Sequence, residues 1–297
     1  MKKINIKKIL VPVDFTETSD NALTSAITLA KSLKAGIILL HILDMNRDQF
    51  SIVAQTPSVP SNILELTRMI KGKMNEMKEQ ISKEHGIKTE ATVQNGHVHS
   101  EITSFSKKNK PDLIVMGTHG VSGYKEMFIG STAQRVVTLS DIPVITIQKS
   151  PGKAGFRNIL IPIDNSLHSR QKVNLAIILA QAFKAKIHLV ALAISKEKQE
   201  LKSLTVKLES VEKIIKTDKL PYVSTIVHGS NMAKSAMNYA TKNKCDLIVI
   251  NTGHESKLTG IFLGAFAQQI VNHSKIPVLS IKHLSDHYEI EIPGFGI

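Results

Sequence analysis

The chain has 297 residues, of which 42% are hydrophobic and 21% charged, and its formal net charge is +13. That length and balance suit two soluble globular domains and exclude a disordered chain, while a single cysteine, Cys245, excludes an intramolecular disulfide and suits a reducing compartment. Aromatic residues make up only 4% and tryptophan is absent, so Ile, Leu and Val must fill the cores, a composition that favours buried parallel strands.

The opening stretch MKKINIKKILVPVDF is basic and then apolar. Its apolar piece is too short for a secretory signal and Asp14 interrupts it. No run approaches the length of a membrane span, and the chain is read as cytoplasmic. Strand one is expected over 8–13. An amphipathic helix follows over about 19–33, with Ala22, Leu23, Ala26, Ile27, Leu29 and Ala30 on its apolar side. Thr16, Thr18 and Ser19 are its candidate N-caps. Strand two covers 36–43. A loop with Pro57 and Pro60 leads into a long helix over about 61–85, which Gly86 stops. Strand three is expected over 87–93, a short helix over 100–108 and strand four over 112–116. A last helix begins near Ser131, and strand five covers 142–147.

The chain then repeats itself. Lys8-Ile9-Leu10-Val11-Pro12-Val13-Asp14 returns as Asn158-Ile159-Leu160-Ile161-Pro162-Ile163-Asp164. Asp112-Leu113-Ile114-Val115 returns as Asp246-Leu247-Ile248-Val249, and Ile142-Pro143-Val144 as Ile276-Pro277-Val278. A period of about half the chain is too long for a solenoid and marks a tandem duplication. The expected domains are 1–150 and 156–283, joined through a short Pro/Gly-containing linker, with a tail at 284–297 that has no counterpart in the first copy.

Strands alternating with helices argue for a doubly wound α/β fold, a parallel sheet with helices on both faces. Right-handed crossovers give each five-stranded domain the order 3-2-1-4-5. Ligands of such sheets bind beyond the carboxyl ends of the strands where the order reverses, here between strands one and four. Asp14 ends strand one and Gly117 ends strand four. Gly117, Gly120 and Gly123 can supply positive φ or close backbone approach. Gly130-Ser131 then opens a helix whose free N–H groups and positive dipole end suit a phosphate, with the hydroxyls of Ser131 and Thr132 as further donors. A glycine-rich turn without a ligand is the plain alternative. Neither the Walker phosphate loop nor the dinucleotide fingerprint is present.

In these residues the chain resembles the universal stress proteins. Their nucleotide-binding members carry Gly-x2-Gly-x9-Gly-Ser/Thr after strand four, present here as Gly117-x2-Gly120-x9-Gly130-Ser131. Pro12-Val13-Asp14 at the end of strand one, the Gly-Ser-Thr-Ala-Gln-Arg-Val helix start and the closing Ile-Pro-Val strand also resemble the family. The resemblance covers both halves and implies the adenine nucleotide alpha-hydrolase-like fold. It implies ATP, with Mg²⁺, as ligand of the first half. Pro12, Val13 and Asp14 would line the adenosine pocket, and Ile42 would pack on the base. Met116 and Gly117 would lie near the ribose and His119 and Gly120 along the phosphate path. Gly130, Ser131 and Thr132 would bind the phosphates. It further implies that the halves pack through strand five as an intramolecular pseudo-dimer, and two chains can pair again as a homodimer.

The second half departs from the pattern. Asn251 and His254 replace the first two glycines and Ala265 replaces the serine, while Pro162, Asp164 and Gly264 remain. That half is expected to bind ATP poorly or not at all. The favoured function is ATP binding as a stress-linked regulatory switch, acting on a regulatory protein partner the sequence does not name. No general base is identifiable, so efficient catalysis is not expected. Slow ATP hydrolysis is the enzymatic alternative, with His119 as its candidate group. A ligand-free scaffold or chaperone-like protein, and a lipid or small-molecule binder using the second half, are the others. His97 with His99, and His283 with His287, lack the further ligands of a metal site. The short lysine clusters have no interleaved aromatics, which argues against nucleic acid as a partner.

Overall fold

A computed structural model describes residues 5–44, 63–118, 129–148, 155–163, 169–256 and 260–282. The first half runs β1 (Lys8–Pro12), α1 (Glu17–Leu33), β2 (Gly36–Leu43), α2 (Ile63–His85), β3 (Thr89–Asn95), α3 (Val98–Asn109), β4 (Leu113–Gly117), α4 (Ser131–Leu139) and β5 (Val144–Ile147). The second repeats it as β6 (Asn158–Ile163), α5 (Ser169–Phe183), β7 (Lys186–Ala193), α6 (Lys198–Thr217), β8 (Tyr222–His228), α7 (Met232–Lys242), β9 (Leu247–Asn251), α8 (Ala265–His273) and β12 (Val278–Ile281). It adds a pair, β10 (Gly253–Ser256) and β11 (Gly260–Leu263), before α8.

The central strands are apolar on both faces because helices cover both. Ile9, Leu10 and Val11 of β1 have no exposed surface, nor do Ile114 and Val115 of β4. Helices α1, α2, α5 and α6 pack on one face of the sheet, and α3, α4, α7 and α8 on the other. Thr16 starts α1: its hydroxyl accepts the Ser19 N–H, and Lys34 ends the helix in a left-handed conformation.

All strands of both halves except β10 and β11 form one ten-stranded sheet, ordered β3-β2-β1-β4-β5-β12-β9-β6-β7-β8. The first half therefore has the expected 3-2-1-4-5 order, and the second mirrors it. In this sheet pairing is parallel within each half. At the centre β5 meets β12 antiparallel, with Ile145 opposite Leu279. Ile145 and Leu279 are fully buried there, so the strand-five edges cover each other.

The structure adjusts several expected limits. β3 starts two residues late and runs on through Gln94 and Asn95, which pair with Ile42 and Leu43. On this outer strand the β2 ladder sets the limits, not hydrophobicity. α3 starts at Val98, before the expected Ser100, with His97 as an N-cap that makes no side-chain bond. The expected loop at Pro57 and Pro60, and the tail 284–297, lie outside the described residues. Among those described, no helix is long and apolar enough to cross a membrane.

Candidate functional site

The carboxyl ends of β1, β2 and β4 converge with the start of α4. β1 gives way to Val13, whose N–H donates to the Leu40 carbonyl at 2.9 Å, and to Asp14. The Asp14 carboxylate accepts from the Thr16 hydroxyl at 2.6 Å and from the Thr16 N–H at 3.1 Å. That hydroxyl is itself the cap of α1. Asp14 is thus fixed by the helix that follows it. Pro12, the last residue of β1, is half-buried. Ile42 and Met116 are buried at 7% and 4% exposure on the same face of the sheet, together with Ile38 and Ile114. They form an apolar floor beside Asp14.

Gly117 closes β4. A Cβ built on it would stand 2.9 Å from the Thr18 carbonyl carbon and oxygen. Its φ is not positive, which corrects one of the two reasons expected for this glycine. It lets the first turn of α1 lie against β4, and it does not bend the chain left-handed. Thr118 then donates its N–H to the Ile147 carbonyl, and its own carbonyl accepts the Gly130 N–H at 2.7 Å. These bonds pin both ends of the glycine loop. His119, Gly120 and Gly123 lie outside the described residues.

Gly130 caps α4 in extended backbone, with φ −61° and ψ 147°, and offers no side chain to the helix start. The first turn of α4 holds no acidic residue. Its leading N–H groups and positive dipole end are thus not neutralised from within, the condition an anion needs. Ser131 is exposed and Thr132 half-buried at that mouth. The residues present fit a mononucleotide: an apolar floor, a fixed carboxylate and an open helix start. Among the described residues no group of three His, Cys, Asp or Glu side chains is gathered to hold a metal.

Sequence reasoning did not find Phe15. It takes φ 62°, a left-handed conformation that costs a bulky residue about 1–2 kcal/mol. Its ring stacks on His41 at 4.9 Å, and the Lys73 ammonium sits 4.2 Å over the ring. His41 Nδ1 lies 2.7 Å from the Val13 carbonyl and must donate to it. The stack ties β1 to β2 and α2 directly behind Asp14. Only the position of Phe15, right after the strand-ending Asp14, hints at it.

The second half differs where the sequence departs. Asn251 stands where Gly117 does and brings a Cβ that Gly117 lacks. Gly264 caps α8 with nearly the same backbone as Gly130, φ −57° and ψ 147°, but Ala265 supplies no hydroxyl. The Gly264 N–H reaches the Thr252 carbonyl only at 3.4 Å. The segment between them folds as the antiparallel β10–β11 pair, with His254 opposite Phe262. At the other end of the sheet, burial pushes the Cys245 thiol up to about 12, aided by the adjacent Asp246. It is a structural thiol and not a nucleophile. His99, half-buried on α3, has its pKa lowered by burial and by Arg135. The Arg135 guanidinium lies 3.4 Å from its Nε2.

The model of the universal stress protein family matches residues 5–148 and again 155–282. Universal stress protein MJ0577 of Methanocaldococcus jannaschii is 34% identical over 155 residues, covering 48% of this chain and 95% of that protein. Universal stress protein YxiE of Bacillus subtilis is 32% identical over 145 residues, covering 48% of this chain and 98% of the relative. The crystal structure of a universal stress protein from Archaeoglobus fulgidus superposes with a TM-score of 0.74 at 18% identity, over 96% of this chain and 99% of that one. At that identity it speaks for the tandem fold alone.

Proposed function

The chain belongs to the universal stress protein family, and we propose that its first half binds ATP and acts as a stress-linked regulatory switch while its second half does not bind the nucleotide. One observation carries the reading. An α4 start free of acidic residues, with bare Gly130 as its cap, lies with Asp14, Ile42 and Met116 at the switch point of the sheet.

Ile42 and Met116 would take the base and ribose. Asp14 would accept hydrogen bonds from the nucleoside. The N–H groups and hydroxyls of Ser131 and Thr132 would meet the phosphates, with His119 and Gly120 along the same path. Mg²⁺ would enter bound to the phosphates and supply charge neutralisation there. Nothing among the described residues of the site is placed as a general base: the Asp14 carboxylate is engaged by Thr16. The reading is therefore a binding switch and not an efficient hydrolase. ATP would act by favouring one of two states of a surface read by a protein partner. Domain limits of 1–150 and 156–283, a cytoplasmic setting and a homodimer of two chains belong to the same proposal.

The test is fluorescent ATP-analogue binding to the full chain and to two matched substitutions. Gly130→Val should abolish binding, because its side chain fills the mouth of α4. Gly264→Val, at the equivalent cap of α8, should leave binding unchanged. Loss of binding in Gly264→Val with retention in Gly130→Val would reverse the assignment.

A further inference from the structure

At the opposite end of β1 the first half holds a concavity of about 590 Å³. Its rim carries Lys7, Lys8, Lys31, Lys34 and Lys88, with Glu90 as the lone carboxylate of the lining. Its floor is apolar, made by Ala35, Ile37 and Ile87. All five lysines are exposed, and none forms an ion pair among the described residues.

Helix ends account for only part of this charge. α1 ends at Leu33 and α2 at His85, and each carboxyl end carries about half a negative charge that nearby cations complement. Lys31 and Lys34 suffice for that. Lys7, Lys8 and Lys88 come from the strand starts, where no helix end requires them. Asp112 is close by, but its carboxylate accepts the backbone N–H groups of Lys7 and Lys8 at 2.7 and 2.9 Å. A positive surplus remains after Glu90, Asp112 and both helix ends are counted. Like charges gathered around a concave, low-dielectric wall repel one another and focus the field outward, which an anion relieves.

The second half provides an internal control. At the matching positions Lys8, Lys31 and Lys88 become Asn158, Gln181 and Pro221, while Lys7 and Lys34 keep cationic counterparts in Arg157 and Lys184 and Lys186 stands at the place of Gly36. Gln181 is bonded to Asp218 at 2.9 Å. Lys8, Lys31 and Lys88 are therefore particular to the first half.

We propose that this concavity binds a small polyanion carrying several phosphate groups. The volume is that of a small-molecule site, and the apolar floor can take an attached organic part. Lys8 opens β1 and Asp14 follows its end, roughly 20 Å away at ~3.3 Å per residue, so this site is separate from the proposed nucleotide site.

The test is a calorimetric titration of the full chain with sodium tripolyphosphate, using two variants. One carries Lys31→Gln, Lys34→Gln and Lys88→Gln, exposed changes that leave the core untouched. The other is Gly130→Val, which disables the proposed nucleotide site. Saturable binding should persist in Gly130→Val, where the nucleotide site no longer contributes, and weaken about tenfold or more when the triple substitution is added to that variant. Binding lost in Gly130→Val alone, or unchanged when the triple substitution is added to Gly130→Val, overturns the proposal. So does a failure to saturate with tripolyphosphate while a short single-stranded RNA binds and is released by the triple substitution, an outcome that assigns the lysines to nucleic acid.

Discussion

Gly117 has no room for a side chain, and the reason lies in the fold before it lies in any ligand. A Cβ there meets the Thr18 backbone at 2.9 Å, which only movement of α1 can relieve. Gly117→Ala should therefore destabilise the chain by about 1–3 kcal/mol, read from urea unfolding, as well as disturb Asp14 through α1. A variant as stable as the wild type would show that α1 gives way freely. Asp14, Gly117 and Gly130 were legible in the sequence because each sits at a strand end or helix start that hydrophobic runs delimit. The wrong detail was the φ of Gly117: spacing reveals that a residue must be small, not which contact demands it. Phe15 was illegible, because its left-handed backbone is held by partners distant in sequence, His41 and Lys73.

Among the elements, β7 and α7 of the second half carry a polar pair that the first half lacks. His188 lies beside Leu160 as Ile38 lies beside Leu10, and Tyr239 takes the place of Phe105. The Asn158 amide donates to the Lys244 carbonyl at 3.3 Å, which turns its Oδ1 to the His188 Nε2–H at 3.2 Å. His188 Nδ1 is then bare and accepts the Tyr239 hydroxyl at 3.2 Å. The ring is neutral in this network, and burial, then Lys186, lowers its pKa from 6.5. The unfolded chain takes up a proton near 6.5 that the folded ring refuses. This contribution to stability is complete above that pH and declines as pH falls below it toward the folded pKa. Urea midpoints measured between pH 7.5 and 5.5 should fall, and the fall should shrink in the double variant His188→Ile, Tyr239→Phe, which restores the first half's pair. An equal fall in both would remove His188 as the cause. The β10–β11 pair was not legible: His254-Glu255-Ser256 has neither the alternation of a strand nor a tight-turn dipeptide after it. The central strands were legible because two-sided burial writes an unbroken apolar run.

Across the whole molecule, the antiparallel junction of β5 and β12 turns two domains into one sheet with continuous helical layers. Trimming Leu279 to Ala at that junction should cost about 2–5 kcal/mol, measured by denaturant unfolding; a negligible cost would mean the halves do not rely on it. The same continuity predicts that ATP held by the first half raises the unfolding midpoint of the entire chain in a single transition. Two transitions, with only one moved by ATP, would show halves that unfold apart. The duplication itself was plain in the sequence, and so was the loss of Gly117's counterpart at Asn251. The central claim is that one half binds and the other does not. It is tested most directly by isothermal titration of the nucleotide-free full chain with ATP and Mg²⁺. The account predicts one ATP per chain; two per chain, or none at millimolar nucleotide, would contradict it.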